Sequence, residues 1–491
     1  MKQDNSIKKL DKAMDILNLI LCLSLITSPL ILSFVSLMLD DLTLAYMIII
    51  FGTIYVNYLP IVFVPKLLKK NYRKKILKSM KSPPIIIMYV LIGWIVLSTI
   101  INNVINVYLA IYLIYILIFI CTFTTQEKYK TIIINTLLIT MAICCVMGFI
   151  DVRNEFLPGF FTLSFPQSLQ FYNPNYTGYV MSMIAIYNCW LLSETDKTYQ
   201  KVISSCVHIC LTIHLFMNGS FAPITAYYLL LIVMIIYKWV TTKKCPFKLL
   251  IMFASVFATM FLVDLIPGIE TFRNCPYNYF LECLAVVDNI LGTKILPALT
   301  GIEEIAGADG WDRDALQKES LAAIFGSFKT FLFGGGAGNA YNYRPHNAIL
   351  STWLDFGIIA PICYIAINVY VVVRYFKAKS ENKTNLFGLI SAIIGYFFVL
   401  IFGSVIHFHF SFFVVILALA YRETNKLYKK KKIIIELEDD SLSDTETINE
   451  STKPDNNSES LDENKKEIKN TQNKKTKQTT SKENKKDAEP I

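Results

Sequence analysis

The sequence predicts an all-α, polytopic membrane protein, and three observations predict it. Of its 491 residues, 54% are hydrophobic and only 17% are charged, a balance too apolar for an ordinary soluble domain. The apolar residues fall in runs of about 17–25, the length that crosses a bilayer as a helix, and about twelve such runs can be drawn. Lysine and arginine then gather in short loops between alternate pairs of runs, the bias that sets orientation in a membrane. The net charge of +9 therefore carries no signal for nucleic acid. After Lys429 the lysines and acids nearly cancel, so the excess sits in those short loops.

Taken in order, the N-terminus carries Lys2, Lys8, Lys9 and Lys12 and is expected to stay cytoplasmic. The first run, Met14 to Met38, lacks a small-residue cleavage site and reads as a span rather than a signal peptide. It ends outside at Asp40-Asp41, and a second span runs from about Thr43 to Val64. The loop from Lys66 through Arg73, Lys74 and Lys75 to Lys81 is the clearest inside marker. Spans at about 85–103 and 107–123 form a hairpin closed outside by Asn102-Asn103, and Lys128 and Lys130 mark the return.

A fifth span at about 131–150 leads to an outer loop holding Arg153, Glu155 and Tyr172-Asn173-Pro174-Asn175-Tyr176. The sixth follows and ends near Glu194 and Lys197. Spans at about 202–217 and 222–239 meet outside at Asn218-Gly219-Ser220-Phe221, and Lys243, Lys244 and Lys248 lie inside. The ninth, about 249–265, opens into the largest segment between spans. The last three runs are about 347–373, 386–402 and 406–421, with Arg374, Lys377, Lys379 and Lys383 inside between the first two. The expected organisation is nine spans over 1–266, an extracytoplasmic loop over 267–345, three spans over 346–422, and a tail over 423–491. Both termini are cytoplasmic in this scheme.

The tail is rich in Lys, Glu, Asp, Asn, Ser and Thr, cannot bury enough apolar surface to order itself, and reads as disordered. Lys429 to Lys432 suit anionic headgroups. Most of the 11 cysteines lie in apolar runs and read as small hydrophobes. Cys275 and Cys283 fall in the outer loop, where free thiols and a disulfide are both open.

Chemistry concentrates near one membrane boundary. Within the outer loop, the stretch from Asp312 to Phe333 reads as an amphipathic helix with Leu316, Leu321, Ile324, Phe325, Phe328 and Phe331 on one face. Such a helix suits a membrane surface or packing on the span ends. It begins at Arg313 and carries Lys329. A glycine cluster follows (Gly334, Gly335, Gly336, Gly338), then Arg344-Pro345-His346-Asn347 and an apolar run. Histidine titrates near working pH and suits proton transfer, while a histidine at a helix start also suits a plain cap. Arginine and lysine there suit a phosphate and suit solvent equally.

The pattern Gly-x-Gly, short loop, His346-Asn347-x-x-Leu350, then Gly357-Ile358 about ten residues after the histidine, resembles the O-antigen ligase family. That superfamily also holds polymerases of lipid-linked polysaccharide repeats. The resemblance covers the layout from 14 to 421, while its specific motifs occupy about 311–360. It implies a bacterial inner-membrane glycosyltransferase that moves a glycan from an undecaprenyl-diphosphate donor to an acceptor hydroxyl, such as a lipid A core sugar. It implies inversion at the anomeric carbon and no metal, nucleotide or other cofactor. His346 matches the family histidine and is implied to activate the acceptor hydroxyl. Arg313 matches the arginine at the start of the preceding helix and is implied to hold the diphosphate. Arg344, Lys329, Asn347, Arg153, Asn175 and Gly336 are the implied substrate-contacting set. Asn173-Pro174-Asn175 resembles the family's Asn-rich entry to span six, and suits an ordinary turn as well. The chain departs from the pattern at Phe221, where the family has an arginine after Ser or Thr.

Other classes find less in the residues. There is no Walker loop and no zinc-site spacing, and Glu303-Glu304, Asp312 and Asp314 lack a motif context. Ligase and repeat polymerase differ only in acceptor and both stand. A transporter or flippase of lipid-linked sugars would place broken helices and charges at mid-membrane. The runs here hold only Asp264 and Asp355 near their ends, and His407 and His409 read as interfacial packing.

Overall fold

The computed structural model describes residues 12–27, 70–104, 108–154, 174–218, 221–264, 293–300, 313–336, 345, 347–377, 384–401 and 412–427, with isolated positions at 64, 68, 281, 284, 285 and 288. Nearly all of these are helical, and none lies in a strand. In chain order the helices are α1 (12–27), α2 (Lys70–Met80), α3 (Pro83–Asn102), α4 (Tyr108–Thr124), α5 (Lys130–Asn154), α6 (Pro174–Glu194), α7 (Thr198–Asn218), α8 (Phe221–Thr242) and α9 (Phe247–Asp264). They continue as α10 (Ile295–Thr300), α11 (Arg313–Phe325), α12 (Phe328–Phe333), α13 (Ala348–Phe356), α14 (Ile359–Lys377), α15 (Thr384–Ile401) and α16 (412–427).

Four described segments are long and apolar enough to cross a membrane: Pro83–Asn102, Glu127–Val146, Phe221–Thr242 and Ile359–Lys377. Leu113–Thr124, Phe247–Leu262 and Leu386–Ile401 are shorter apolar helices. The outward face of α3 exposes Ile86, Val90, Leu97 and Ile100, and that of α8 exposes Leu229, Val233 and Ile236. A continuous apolar exterior of this kind suits lipid rather than water. The second expected span, 43–64, lies outside the described residues apart from Val64.

Local signals set the helix ends. Pro83 and Pro84 start α3, where the missing N–H costs nothing, and Asn103 ends it in the left-handed region at φ 53°. The core centres on α6, whose residues 178–190 are buried on every side. Helices α7, α8 and α15 pack around it. Two glycines of α15 permit the closest approach: a Cβ on Gly388 would lie 2.5 Å from Trp190, and one on Gly395 would lie 2.6 Å from Ile186. Small residues bring apolar helices together in this way.

Ion pairs gather at one end of the bundle. Arg422 pairs with Glu127 at 2.6 Å, Lys130 with Glu423 at 3.0 Å, and Lys426 with both acids. Lys238 pairs with Glu194 and stands 5.7 Å over the Trp190 ring. Arg374 donates to Tyr370 Oη at 2.8 Å and lies 5.2 Å over Tyr421. Sequence reading assigned residues 423–427 to the tail, yet α16 carries through them, because Glu423 and Lys426 are held by this network. The chain divides into units at 1–428 and 429–491, and the second lies outside the described residues.

Three other expectations change. The run 347–373 is not one helix but two, α13 and α14, broken at Gly357. The amphipathic stretch 312–333 is likewise two helices, α11 and α12, parted at Gly326-Ser327. Of its six apolar positions only Ile324 is fully buried, and Leu321, Phe325 and Phe328 are exposed. Helix α11 turns Ser320 and Ile324 inward. Helix α5 also runs to Asn154, so Arg153 sits in its last turn rather than in a loop.

Replacing Gly388 with Val is expected to overpack the α6–α15 contact and cost about 1–3 kcal/mol. Gly93→Ala, in open space on α3, is the neutral control. Thermal unfolding in detergent followed by size exclusion checks this: a lower midpoint for the first and none for the second.

Candidate functional site

The glycine cluster ties three helices together. Helix α12 is started by Ser327, whose Oγ accepts from Thr330 N–H at 3.0 Å. It ends at Gly334, at φ 71°, whose N–H donates to Thr330 O at 2.9 Å. The next two N–H groups cap a different helix: Gly335 donates to Leu354 O at 2.8 Å and Gly336 to Asp355 O at 3.1 Å. These are carbonyls at the C-terminus of α13, which have no partner within their own helix. The third, Phe356 O, accepts from Trp94 Nε1 of α3 at 2.9 Å.

The return contacts are as close. Ile358 N–H and Trp353 Nε1 both donate to Phe331 O, at 3.1 and 3.0 Å. Ser98 Oγ donates to Phe333 O at 2.5 Å, and Asn102 Nδ2 to Phe333 O and Gly334 O at 3.3 and 3.2 Å. Trp94 stacks on Phe333 with ring centroids 5.1 Å apart. Backbone this close excludes side chains. A Cβ on Gly357, at φ 81°, would lie 1.7 Å from Leu332 O, and one on Gly334 would lie 2.5 Å from Asp355.

This knot holds the base of the stretch that bears the expected site. At its far end Asn347 caps α13, its Oδ1 accepting from Ile349 and Leu350 N–H at 2.9 and 3.1 Å. Buried Pro345 accepts through its carbonyl from Ser351 Oγ at 3.1 Å and from Asn347 N–H at 2.6 Å. Positions 345 and 347 are thus anchored on either side of His346, which itself lies outside the described residues.

The other expected site residues are placed as follows. Arg344 also lies outside the described residues. Arg313 is the first residue of α11, and α11 packs on α13, with Phe325 and Trp353 rings 5.7 Å apart. Arg313 therefore starts a helix that packs on α13, the helix that Asn347 caps. Lys329 is the second residue of α12 and is exposed. Gly336 is buried against α3, where a Cβ would lie 3.1 Å from Val104 and 3.3 Å from Asn102, so its room is taken by packing. Asn175 stands in the first turn of α6, and Arg153 in the last turn of α5. Phe221 begins α8; Gly219, Ser220, Cys275, Cys283, His407 and His409 lie outside the described residues.

Sequence reasoning missed a second polar constellation, inside the bundle. Ser255 Oγ donates to Met252 O at 2.8 Å, so it accepts from His208 Nε2–H at 3.0 Å. His208 Nδ1 is then an acceptor and faces Tyr227 Oη at 3.3 Å and Cys189 Sγ at 3.6 Å, themselves 3.0 Å apart. Four helices meet in this cluster. A signal was present: Gln200, Ser204, His208 and Thr212 recur every four residues along α7, and all are buried. Among the described residues no group of three His, Cys, Asp or Glu side chains is placed to hold a metal.

No protein-family model and no curated protein matches the chain.

Gly357→Ala is expected to break the knot, with a loss above about 3 kcal/mol from strain and clash together. Asn347→Ala is expected to cost about 1 kcal/mol through the lost cap. Thermal midpoints of the two variants in the same detergent check both, the first falling several times further.

Proposed function

We propose that the protein is a membrane glycosyltransferase of the kind its motifs resemble, transferring a glycan from an undecaprenyl-diphosphate carrier to an acceptor hydroxyl. The observation that supports this best is the packing of α11, which starts with Arg313, on α13, whose cap immediately follows His346. Helices α12 and α13 meet in a braced knot at the end of the bundle opposite the ion-paired loops. Rigid support of this kind is what a positioned catalytic group needs.

In this reading a ring nitrogen of His346 takes the proton of the acceptor hydroxyl as its oxygen attacks the anomeric carbon from the face opposite the carrier. The bond from that carbon to the diphosphate oxygen breaks, and the leaving diphosphate takes the electron pair. Arg313 holds the developing negative charge with a guanidinium that stays protonated. Lys329 and Arg344 are cations available to the same group. The acceptor is a lipid A core sugar in a ligase and another lipid-linked repeat in a polymerase. The reaction would proceed at the outer face of a bacterial inner membrane, with the ion-paired end of the twelve-span bundle and both termini in the cytoplasm.

A second reading, transport of lipid-linked sugars, is favoured by two specific observations. Helices α13 and α14 are halves of one apolar run broken at Gly357, and His208, Tyr227, Cys189 and Ser255 form a polar cluster among apolar helices. Transporters place their sites at such features.

The deciding experiment is the surface-polysaccharide profile of a null strain complemented with the wild type, His346→Ala or Arg313→Ala. Loss of a general base is expected to slow transfer by about 10²–10⁴-fold, and loss of the guanidinium by a comparable factor. Lipid-linked chains accumulating beside bare acceptor identify a ligase, and single repeats on the acceptor identify a polymerase. Full rescue by both variants at normal expression would remove the assigned site and leave transport as the better reading.

A further inference from the structure

The glycine knot is joined to α3 at a depth that can be read along that helix. A 20-residue helix rises about 30 Å, the thickness of the hydrocarbon layer, so α3 can be used as a ruler. Asn102, which donates to Phe333 O and Gly334 O, ends the helix. Ser98, which also donates to Phe333 O, lies about one turn deeper. Trp94, which donates to Phe356 O and stacks on Phe333, lies about 12 Å below Asn102. The C-terminal ends of α12 and α13 therefore stand beside the last two turns of a helix long and apolar enough to span.

Irregular backbone can occupy that depth only where its polar groups are satisfied by protein. That condition is met. The N–H groups of Gly334, Gly335, Gly336, Gly357 and Ile358 all donate, and the carbonyls of Phe331, Phe333, Gly334, Leu354, Asp355 and Phe356 all accept. The outward side of the segment is apolar. Leu321 is 38% exposed, Phe325 62% and Phe328 77%, and Ile100 on neighbouring α3 is 70% exposed. Lys318, Glu319 and Lys329 are the exposed charges alongside, and the lysine stems are long enough to carry their heads to a headgroup layer.

We propose that α11 and α12 form a re-entrant element that dips into the outer leaflet, with Leu321, Phe325 and Phe328 against lipid acyl chains. The occupant of this exposed strip is the bilayer itself. The inference stands on the depth of the knot and not on glycan transfer.

The test uses the full chain in lipid nanodiscs, with both faces open to solvent. Glu319→Cys, Phe325→Cys and Phe328→Cys are labelled with a membrane-impermeant maleimide, and the labelling of the parent chain is subtracted. Expected is labelling at 319 at least tenfold faster than at 325 or 328. In parallel, brominated acyl chains are expected to quench the emission added by Phe328→Trp. Equal, fast labelling at all three positions would overturn the proposal. Protection at 325 and 328 without quenching would overturn it too, and would point to cover by a second copy or another protein. All three positions are exposed; Phe325→Cys also removes ring contacts with Phe331 and Trp353, so Phe328→Cys carries the comparison if that variant does not fold, and failure of the glycan-transfer reading would not alter these outcomes.

Discussion

The carbonyl groups at the end of α13 set the terms for everything around them. A helix that stops among other helices leaves its last carbonyls without partners, and a buried carbonyl without a donor is costly. Here the donors are two consecutive glycine N–H groups and one indole. The glycine segment can reach those carbonyls only because no Cβ intervenes on either side of the contact. From this one constraint follow the break at Gly357, the direction in which α12 arrives, and the attachment of both to α3 through Trp94, Ser98 and Asn102.

The opposite end of the molecule is held by different forces. There Glu127, Lys130, Arg422, Glu423 and Lys426 pair across elements far apart in sequence, and α16 is fixed beside the turn between α4 and α5. Between the two ends, α6 is packed on every side, with room made by Gly388 and Gly395. The bundle is thus pinned by charge at one end and by main-chain hydrogen bonds at the other, with close apolar packing in between. The polar cluster at His208 adds a third tie, joining α6, α7, α8 and α9 through neutral side chains.

What could be read in the sequence follows from what hydropathy measures. The apolar runs located α3, α4 and the helices α5–α9 and α15 closely, because length and composition alone decide such helices. The glycine cluster stands out in the sequence, and Gly334 and Gly336 do mark a special backbone. Their work proved to be helix capping and close packing, which no residue type announces. Gly357 was invisible as a break because the residues on both sides are apolar, so the run reads as continuous. The apolar face of 312–333 stays open between lipid and packing in the sequence for a related reason: hydropathy does not separate an exposed apolar residue such as Phe328 from a buried one such as Ile324. The His208 cluster escaped notice because neutral polar residues barely lower the hydropathy of a run. Arg313 and Asn347 stand at the starts of α11 and α13, where a helix beginning is legible from the onset of apolar periodicity and of the apolar run.

The knot also separates what is constrained from what is exchangeable. It binds 331–336 to 353–358, so the stretch between them leaves and returns to a fixed frame. Closing a loop depends only weakly on its length, about 0.6 kcal/mol for each doubling. Insertions or substitutions between Gly336 and Pro345 would leave the capping carbonyls, the glycines and α3 in place. That stretch contains Arg344 and leads directly to His346. Sequence in that stretch can therefore diverge while the backbone joint beneath it stays the same, so change there need not disturb the fold.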